Sequence, residues 1–259
     1  MNIFDKFQLN NKTLFISGGS RGLGRSMALA IAEAGADVIL TGRNKNSLEQ
    51  TASEISQLGR KAYPIQADMS NPKECEKACK EALKITPNIN ILINNIGGRR
   101  ESIPTEHMSI NDWNKYMDLN LTHAVLCTKL IGGNMLSQGK GGRIINISSI
   151  NAFQSIRGLN GRHYETAKAA LVQFTKATAI DWAQYGITVN CICPGVFMTE
   201  PNIKWSKKEP EAMKNFLSKI PVKTTGDPDD LGPLAVYISS DSSKYMTGSV
   251  IVIDGGQTC

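Results

Sequence analysis

The strongest constraint on this chain is an alternation of short, wholly apolar runs with stretches of helical period, repeated from one end to the other. TLFIS (13–17) reads as a strand, residues 23–35 as a helix ending in glycine, DVILT (37–41) as a strand and residues 46–59 as a second glycine-terminated helix. The pattern continues with AYPIQ (62–66), a helix starting after Asn71-Pro72, NILINN (90–95), a long helix from about 110 to 131, RIINIS (143–148), a helix carrying Tyr164, ITVNCI (187–192) and SVIVID (249–254). Strands that are apolar on both faces need cover on both, and parallel neighbours need a crossover between them. The expected architecture is therefore α/β, a doubly wound parallel sheet with helices on both faces. No Pro/Ser/Gly-rich linker, repeat or low-complexity stretch divides residues 1–259, so a single domain is expected. Ligands of such sheets bind beyond the carboxyl ends of the strands, which directs the search to the loops there.

The first of those loops is SGGSRGLG (17–24). Gly18, Gly22 and Gly24 between a strand and a helix permit a tight turn, a close backbone approach and close helix packing, and the helix N-terminus offers free N–H groups to an anion. A dinucleotide pyrophosphate suits it. The same residues also match G-x-S-x-G, a nucleophile elbow centred on Ser20. A hydrolase of that type needs an acid and then a histidine downstream, and no histidine follows His163. The cradle reading is preferred. The nucleotide's identity follows from charge: NAD binders place an acid at the end of the second strand, whereas NADP binders place arginine near the 2′-phosphate. Here the strand ends LTGRN, with Gly42 offering no carboxylate, Arg43 following it and Arg21 in the glycine turn, which favours NADP(H).

A second constellation is RHYETAK (162–168). Tyr164 and Lys168 are four apart on a helix, so they share one face with Cβ atoms about 5–6 Å apart. A positive charge beside a phenol favours the phenolate, drawing a tyrosine that ordinarily titrates near ~10 toward acid–base work closer to neutrality.

Other classes are disfavoured. The net charge is +6, but the basic residues are dispersed apart from the doublets Arg99-Arg100 and Lys207-Lys208, and no nucleic-acid-binding signature appears. Of six cysteines, Cys75 and Cys79 are spaced for one helix face, Cys191 and Cys193 lie in a strand, and Cys127 and Cys259 stand alone; with His107, His123 and His163 scattered, no metal site is expected. MNIFDKFQLNNK resembles no export signal and no apolar run reaches 18 residues, so a cytoplasmic location without membrane contact is expected.

Taken together, the glycine turn, the YxxxK pair and the strand order resemble the short-chain dehydrogenase/reductase family, whose fold is of the Rossmann type, over essentially the whole chain. INNIG (93–97) is similar to its N-N-A-G stretch, CPGVFMT (193–199) to its P-G-x-x-x-T, and MTGSVIVIDGG to its last strand. The resemblance implies a ketone/alcohol oxidoreductase in which Tyr164 moves the proton, Lys168 lowers its pKa and binds the nicotinamide ribose, Ser149 (with Ser148 as the alternative) holds the substrate oxygen, and Asn120 completes a proton relay. It implies cofactor contacts from Gly18, Ser20, Arg21, Gly22, Leu23 and Gly24, from Arg43 and Asn44, from Asp68 and Met69 at the adenine, from Asn95, Ile96 and Gly97 at its ribose, and from Pro194, Gly195, Val196 and Thr199 at the nicotinamide. Two departures stand out: Ile96 replaces the usual alanine, and Ser149 precedes Tyr164 by 15 residues rather than 13, which implies a small insertion between them.

Substrate contacts are expected from the segment after NNIG and from residues 196–221, a long stretch before the final helix that reads as a lid. Arg99 or Arg100 is placed to pair with a substrate carboxylate. Their N-N-x-G-x-R context is similar to gluconate 5-dehydrogenase-like members. The rival is a 3-oxoacyl-[acyl-carrier-protein] reductase docking an acidic carrier protein, in which many members carry arginine where this chain has Tyr185. A non-catalytic NADP-binding sensor would be expected to lose Tyr164, Lys168 or Ser149. The family likeness also implies a homotetramer built on the two long helices and the last strand.

Overall fold

A computed structural model describes residues 2–99 and 101–259. Seven strands form one sheet in the order β3-β2-β1-β4-β5-β6-β7, every neighbouring pair parallel. They are β1 (Thr13–Ser17), β2 (Asp37–Gly42), β3 (Ala62–Gln66), β4 (Ile91–Asn94), β5 (Gly142–Ile147), β6 (Ile187–Pro194) and β7 (Val250–Ile253). Between and after them run α1 (Gly22–Glu33), α2 (Lys45–Gln57), α3 (Pro72–Ile85), α4 (Ile110–Met117), α5 (His123–Cys127), α6 (Gly133–Gln138), α7 (Arg162–Trp182), α8 (Glu200–Lys208), α9 (Pro210–Ser218) and α10 (Leu231–Ser239).

Successive strand residues point to opposite faces, and both faces are apolar, so each strand feeds two cores. Leu14, Ile16, Leu40, Ile93, Ile145 and Ile192 pack under Met27 and Ile31 of α1 and Leu231 and Ile238 of α10. Phe15, Ile39, Leu92, Ile144 and Val189 pack on the other face, against residues of α3, α5 and α7. In the register, Phe15 pairs with Ile39 on one side and Leu92 on the other, so one fully buried ring sits at the centre of the second core.

Helix starts follow the capping chemistry. Asn71 accepts from the N–H groups of Lys73 and Glu74, with Pro72 in the first turn of α3, and Asn44 accepts from the Ser47 N–H to open α2.

The long helix expected over about 110–131 differs in two respects. It continues to Gln138, and two π-helical segments, Asp118–Thr122 and Thr128–Gly132, interrupt it between α4, α5 and α6. Each π turn inserts one residue into the backbone ladder and redirects the face that follows. Residues 196–221, read as one lid segment, hold two short helices, α8 and α9, separated by Glu209.

Replacing Phe15 with alanine removes a fully buried ring from the centre of the sheet. The variant is expected to lose roughly 3–5 kcal/mol of unfolding free energy in urea titration with an unchanged denaturant slope. A loss below about 1 kcal/mol contradicts this placement of the core.

Candidate functional site

Three loops meet at the carboxyl ends of β1, β4 and β5. In the first, Gly18 and Gly22 have φ of +69° and +53°, the left-handed region that favours glycine. Gly24 is constrained by contact: a Cβ there would lie 2.1 Å from the Gly18 carbonyl oxygen and 2.5 Å from Asn95 Nδ2. The turn is fastened on both sides. Gly18 N–H donates to Thr41 Oγ1 and Gly19 N–H to the Thr41 carbonyl, while Asn95 Nδ2 donates to the carbonyls of both Ser17 and Gly18 at 3.1 Å. Ser17 Oγ accepts from the N–H groups of Asn95 and Ile96. Ile96, bulkier than the expected alanine, lies against Gly18, so its side chain forms part of the turn's wall. Ser20 is buried with its hydroxyl against Gly42, as wall rather than exposed nucleophile. The cradle thus has the close backbone approach and free helix N-terminus that a pyrophosphate requires.

Lys168 occupies the centre of the site. Only 2% exposed, its ammonium donates to the Ile147 carbonyl at the end of β5 at 2.8 Å and stands 5.9 Å from the centre of the Tyr164 ring. Burial lowers its pKa to about 8. The Arg99 guanidinium carbon stands 5.7 Å from the same ring centre, so two cations lie close to Tyr164. Gly97 completes the enclosure, because a Cβ there would meet Lys168 Nζ at 2.7 Å and Asn120 Oδ1 at 3.0 Å.

Asn120 sits in the first π segment, fully buried. Its Nδ2 donates to the carbonyls of Tyr116 and Gly98, and its Oδ1 accepts from the Gly98 N–H at 2.8 Å. The expected relay residue is thus also a clamp that ties the loop after β4 to the long helix. The two candidate serines separate clearly. Ser148 Oγ donates to the Lys168 main-chain carbonyl and is consumed in fastening α7 to β5. Ser149 opens a short turn, its Oγ accepting from the Asn151 N–H.

Several expected cofactor contacts take other work. Asn44 caps α2 with its side-chain oxygen, and Met69 is buried in the second core. Leu23 packs against the first core. Asp68 accepts two hydrogen bonds from Ser70 and lies 3.7 Å from Arg43. Partial burial pushes this carboxyl up, but the bonds from Ser70 and the Arg43 charge together hold it below its usual value. Arg21 lies 3.7 Å from Glu200 in the first turn of α8. Both arginines expected at a 2′-phosphate therefore have carboxylate partners, although the end of β2 itself carries no acid. Pro194 ends β6. Gly195 passes so close to β7 that a Cβ would meet Asp254 Cα at 2.8 Å, the Val196 carbonyl accepts from Gly226 N–H, and Thr199 packs against Gly22. Arg100 lies outside the described residues.

Two features escaped the sequence reading. Tyr116 and His163 stack with ring centres 4.0 Å apart, and His163 Nε2 is 3.3 Å from the Arg99 carbonyl, which fixes the main chain that presents Arg99. Glu165, beside Tyr164, is buried and accepts from Ser155 and Arg162, which pins the loop between Ser149 and Tyr164 to α7. Nothing in residue spacing announces either. The expectation that Cys127 stands alone is corrected: it faces Cys75 and Cys79 across the α3–α5 contact, since the first π segment sets the face of α5.

Residues 18–258 match the protein family described as enoyl-(acyl carrier protein) reductase. The 2-dehydro-3-deoxy-D-gluconate 5-dehydrogenase of Dickeya dadantii (strain 3937) is 33% identical over 98% of each chain. This chain belongs to the short-chain dehydrogenase/reductase family. The 3-oxoacyl-[acyl-carrier-protein] reductase of Aquifex aeolicus (strain VF5) is 31% identical, covering 97% of this chain and 99% of its own. A crystal structure of a 3-oxoacyl (acyl-carrier-protein) reductase from Agrobacterium tumefaciens C58 with NADP bound superposes with a TM-score of 0.91 at 26% identity, over 99% of this chain and 98% of that one. The chain is accordingly an oxidoreductase on a Rossmann-type fold, with gluconate-dehydrogenase-like and carrier-protein-reductase-like relatives. Among the described residues no helix is long and apolar enough to cross a membrane.

The buried ammonium has a thermodynamic signature. Lys168 titrates near 8 in the folded chain against 10.5 when unfolded, so between those values the unfolded chain binds more protons and stability rises with pH. Relative to a Lys168→Met variant, the parent is expected to gain stability as pH is raised through that window, by on the order of 3 kcal/mol at full effect. A difference in urea midpoints that stays flat with pH contradicts the burial of a charge here.

Proposed function

We propose that the chain interconverts a ketone and a secondary alcohol with NADP(H), on a small keto or hydroxy acid of the sugar-acid type. The observation that carries the substrate class is Arg99: its Nε is buried with no hydrogen-bond partner among the described residues, and its guanidinium stands over the Tyr164 ring, packed against Gly161. A half-desolvated guanidinium fork beside the reacting phenol is suited to a carboxylate.

NADP(H), when bound, supplies or accepts the hydride. The chain's residues do the rest. N–H groups of the Gly18–Gly24 turn would hold the pyrophosphate, and the exposed Arg21 and Arg43 would exchange carboxylate partners for the 2′-phosphate, an exchange with little cost because surface ion pairs contribute only about 0–1 kcal/mol. Tyr164 gives a proton to the substrate oxygen, or takes it in the reverse direction, with Lys168 favouring the phenolate and Ser149 donating to the oxygen where negative charge grows. Asn120 keeps the floor of the site in place and passes the proton onward. Residues 196–221, through α8 and α9, cover the substrate. Ile180 on α7 and Val252 on the edge strand β7 are apolar and exposed, which supports the homotetramer reading.

A second reading, reduction of a 3-oxoacyl group on a carrier protein, draws support from the exposed Lys204, Lys207 and Lys208 on α8 and from the carrier-protein reductases among the relatives. The two separate on substrate. With 5-ketogluconate, an Arg99→Ala variant is expected to raise KM at least tenfold with a much smaller change in kcat, while its rate on an uncharged ketone stays near the parent's. An unchanged KM for the keto acid, or a parent that reduces only carrier-bound acyl substrates, overturns the sugar-acid reading.

A further inference from the structure

Away from the proposed catalytic groups, α3 and α5 meet through sulfur. Cys75 and Cys79 lie one turn apart on the inward face of α3, and Cys127 ends α5 opposite them, its Sγ 3.7 Å from each. All three Sγ atoms lie within 4.8 Å of one another and none of the residues is exposed. Their surroundings are apolar, including Phe15, Met69, Leu92 and Ile131, and the other polar partner is the His123 carbonyl, 3.8 Å from Cys75 Sγ. Three sulfurs bound to one centre at about 2.3 Å stand roughly 3.4–3.8 Å apart, the shorter span for the pyramidal angles near about 95° of a trivalent metalloid and the longer for tetrahedral ones. Two of the three edges of this triangle already have that length.

We propose that Cys75, Cys79 and Cys127 form a three-thiolate site for a soft trivalent metalloid, arsenic(III), taken up as arsenite. Charge selects the trivalent ion. Three thiolates around a monovalent or divalent ion leave net negative charge in an apolar enclosure, which is costly, whereas a trivalent centre leaves none. The exchange balances without an oxidant: three S–H and three As–OH bonds break, three S–As bonds form, and three waters leave. Entry is through the first turn of α3, where Cys75 lies between the exposed Glu74 and the half-buried Glu76 and helix ends open locally. Occupancy then staples α3 to the long helix.

The test is to incubate the folded chain with sodium arsenite, desalt it, and read arsenic content by native mass spectrometry and the unfolding midpoint by thermal scan. The expected result is one arsenic per parent chain, displacing three protons, with a raised midpoint; Cys75→Ala and Cys127→Ala each lose at least tenfold of the retained arsenic. A Cys191→Ala/Cys193→Ala double variant, which removes the other close thiol pair at 3.9 Å, retains it. No arsenic on the parent, equal retention by the Cys75→Ala and Cys127→Ala variants, loss in the double variant, or preferential retention of zinc or cadmium overturns the proposal.

Discussion

The Lys168 ammonium, enclosed at the end of β5 and donating to the Ile147 carbonyl, is a charge removed almost entirely from water, and the loops around it are shaped by that fact. A buried cation is tolerated when it is hydrogen-bonded and faces electron-rich neighbours, and this one has a carbonyl and the Tyr164 ring. Its own main chain is fastened by Ser148, so helix α7 cannot drift along the sheet without breaking a buried hydrogen bond. Gly97 has no side chain because the ammonium and Asn120 fill the space where one would be. The glycine at that position is a steric requirement of the lysine.

From this centre, the polar contacts pass outward through two asparagines. Asn95 fastens the loop after β4 to the glycine turn after β1, and Asn120 fastens the same loop to the long helix. Adjacent loops at the carboxyl edge of a parallel sheet have no ladder hydrogen bonds of their own, so side-chain amides, each with donors and an acceptor, are suited to joining them. The first π segment is what brings Asn120 to this place. It also sets the face of α5 and with it the sulfur of Cys127. One irregularity in one helix therefore positions both the Asn120 floor beside Lys168 and the thiol trio.

Much of this was legible in the sequence because it rests on period and backbone chemistry. β1 and β3 lie where their apolar runs placed them, α3 begins at the Asn71-Pro72 cap, and Tyr164 and Lys168 share a helix face because four residues make nearly one turn. What was not legible depends on tertiary contact. A π insertion changes the helical period too little to read, so the length of the long helix and the partners of Cys127 were missed. Asn44 and Met69 were expected to face a nucleotide, yet a cap and a core claim their side chains. The pairings of Arg21 with Glu200 and of Arg43 with Asp68 join residues far apart in the chain, and the stack of Tyr116 on His163 has no local signal.

The most direct test of the account is the ionisation of one phenol. Ultraviolet difference titration of the parent against Tyr164→Phe isolates that group, and the same subtraction in a Lys168→Met background isolates the influence of the ammonium. The account predicts that Tyr164 ionises below the usual tyrosine value of about 10 in the parent and moves upward when the lysine is removed. A phenol that titrates in the ordinary range, or one indifferent to the loss of Lys168, contradicts it.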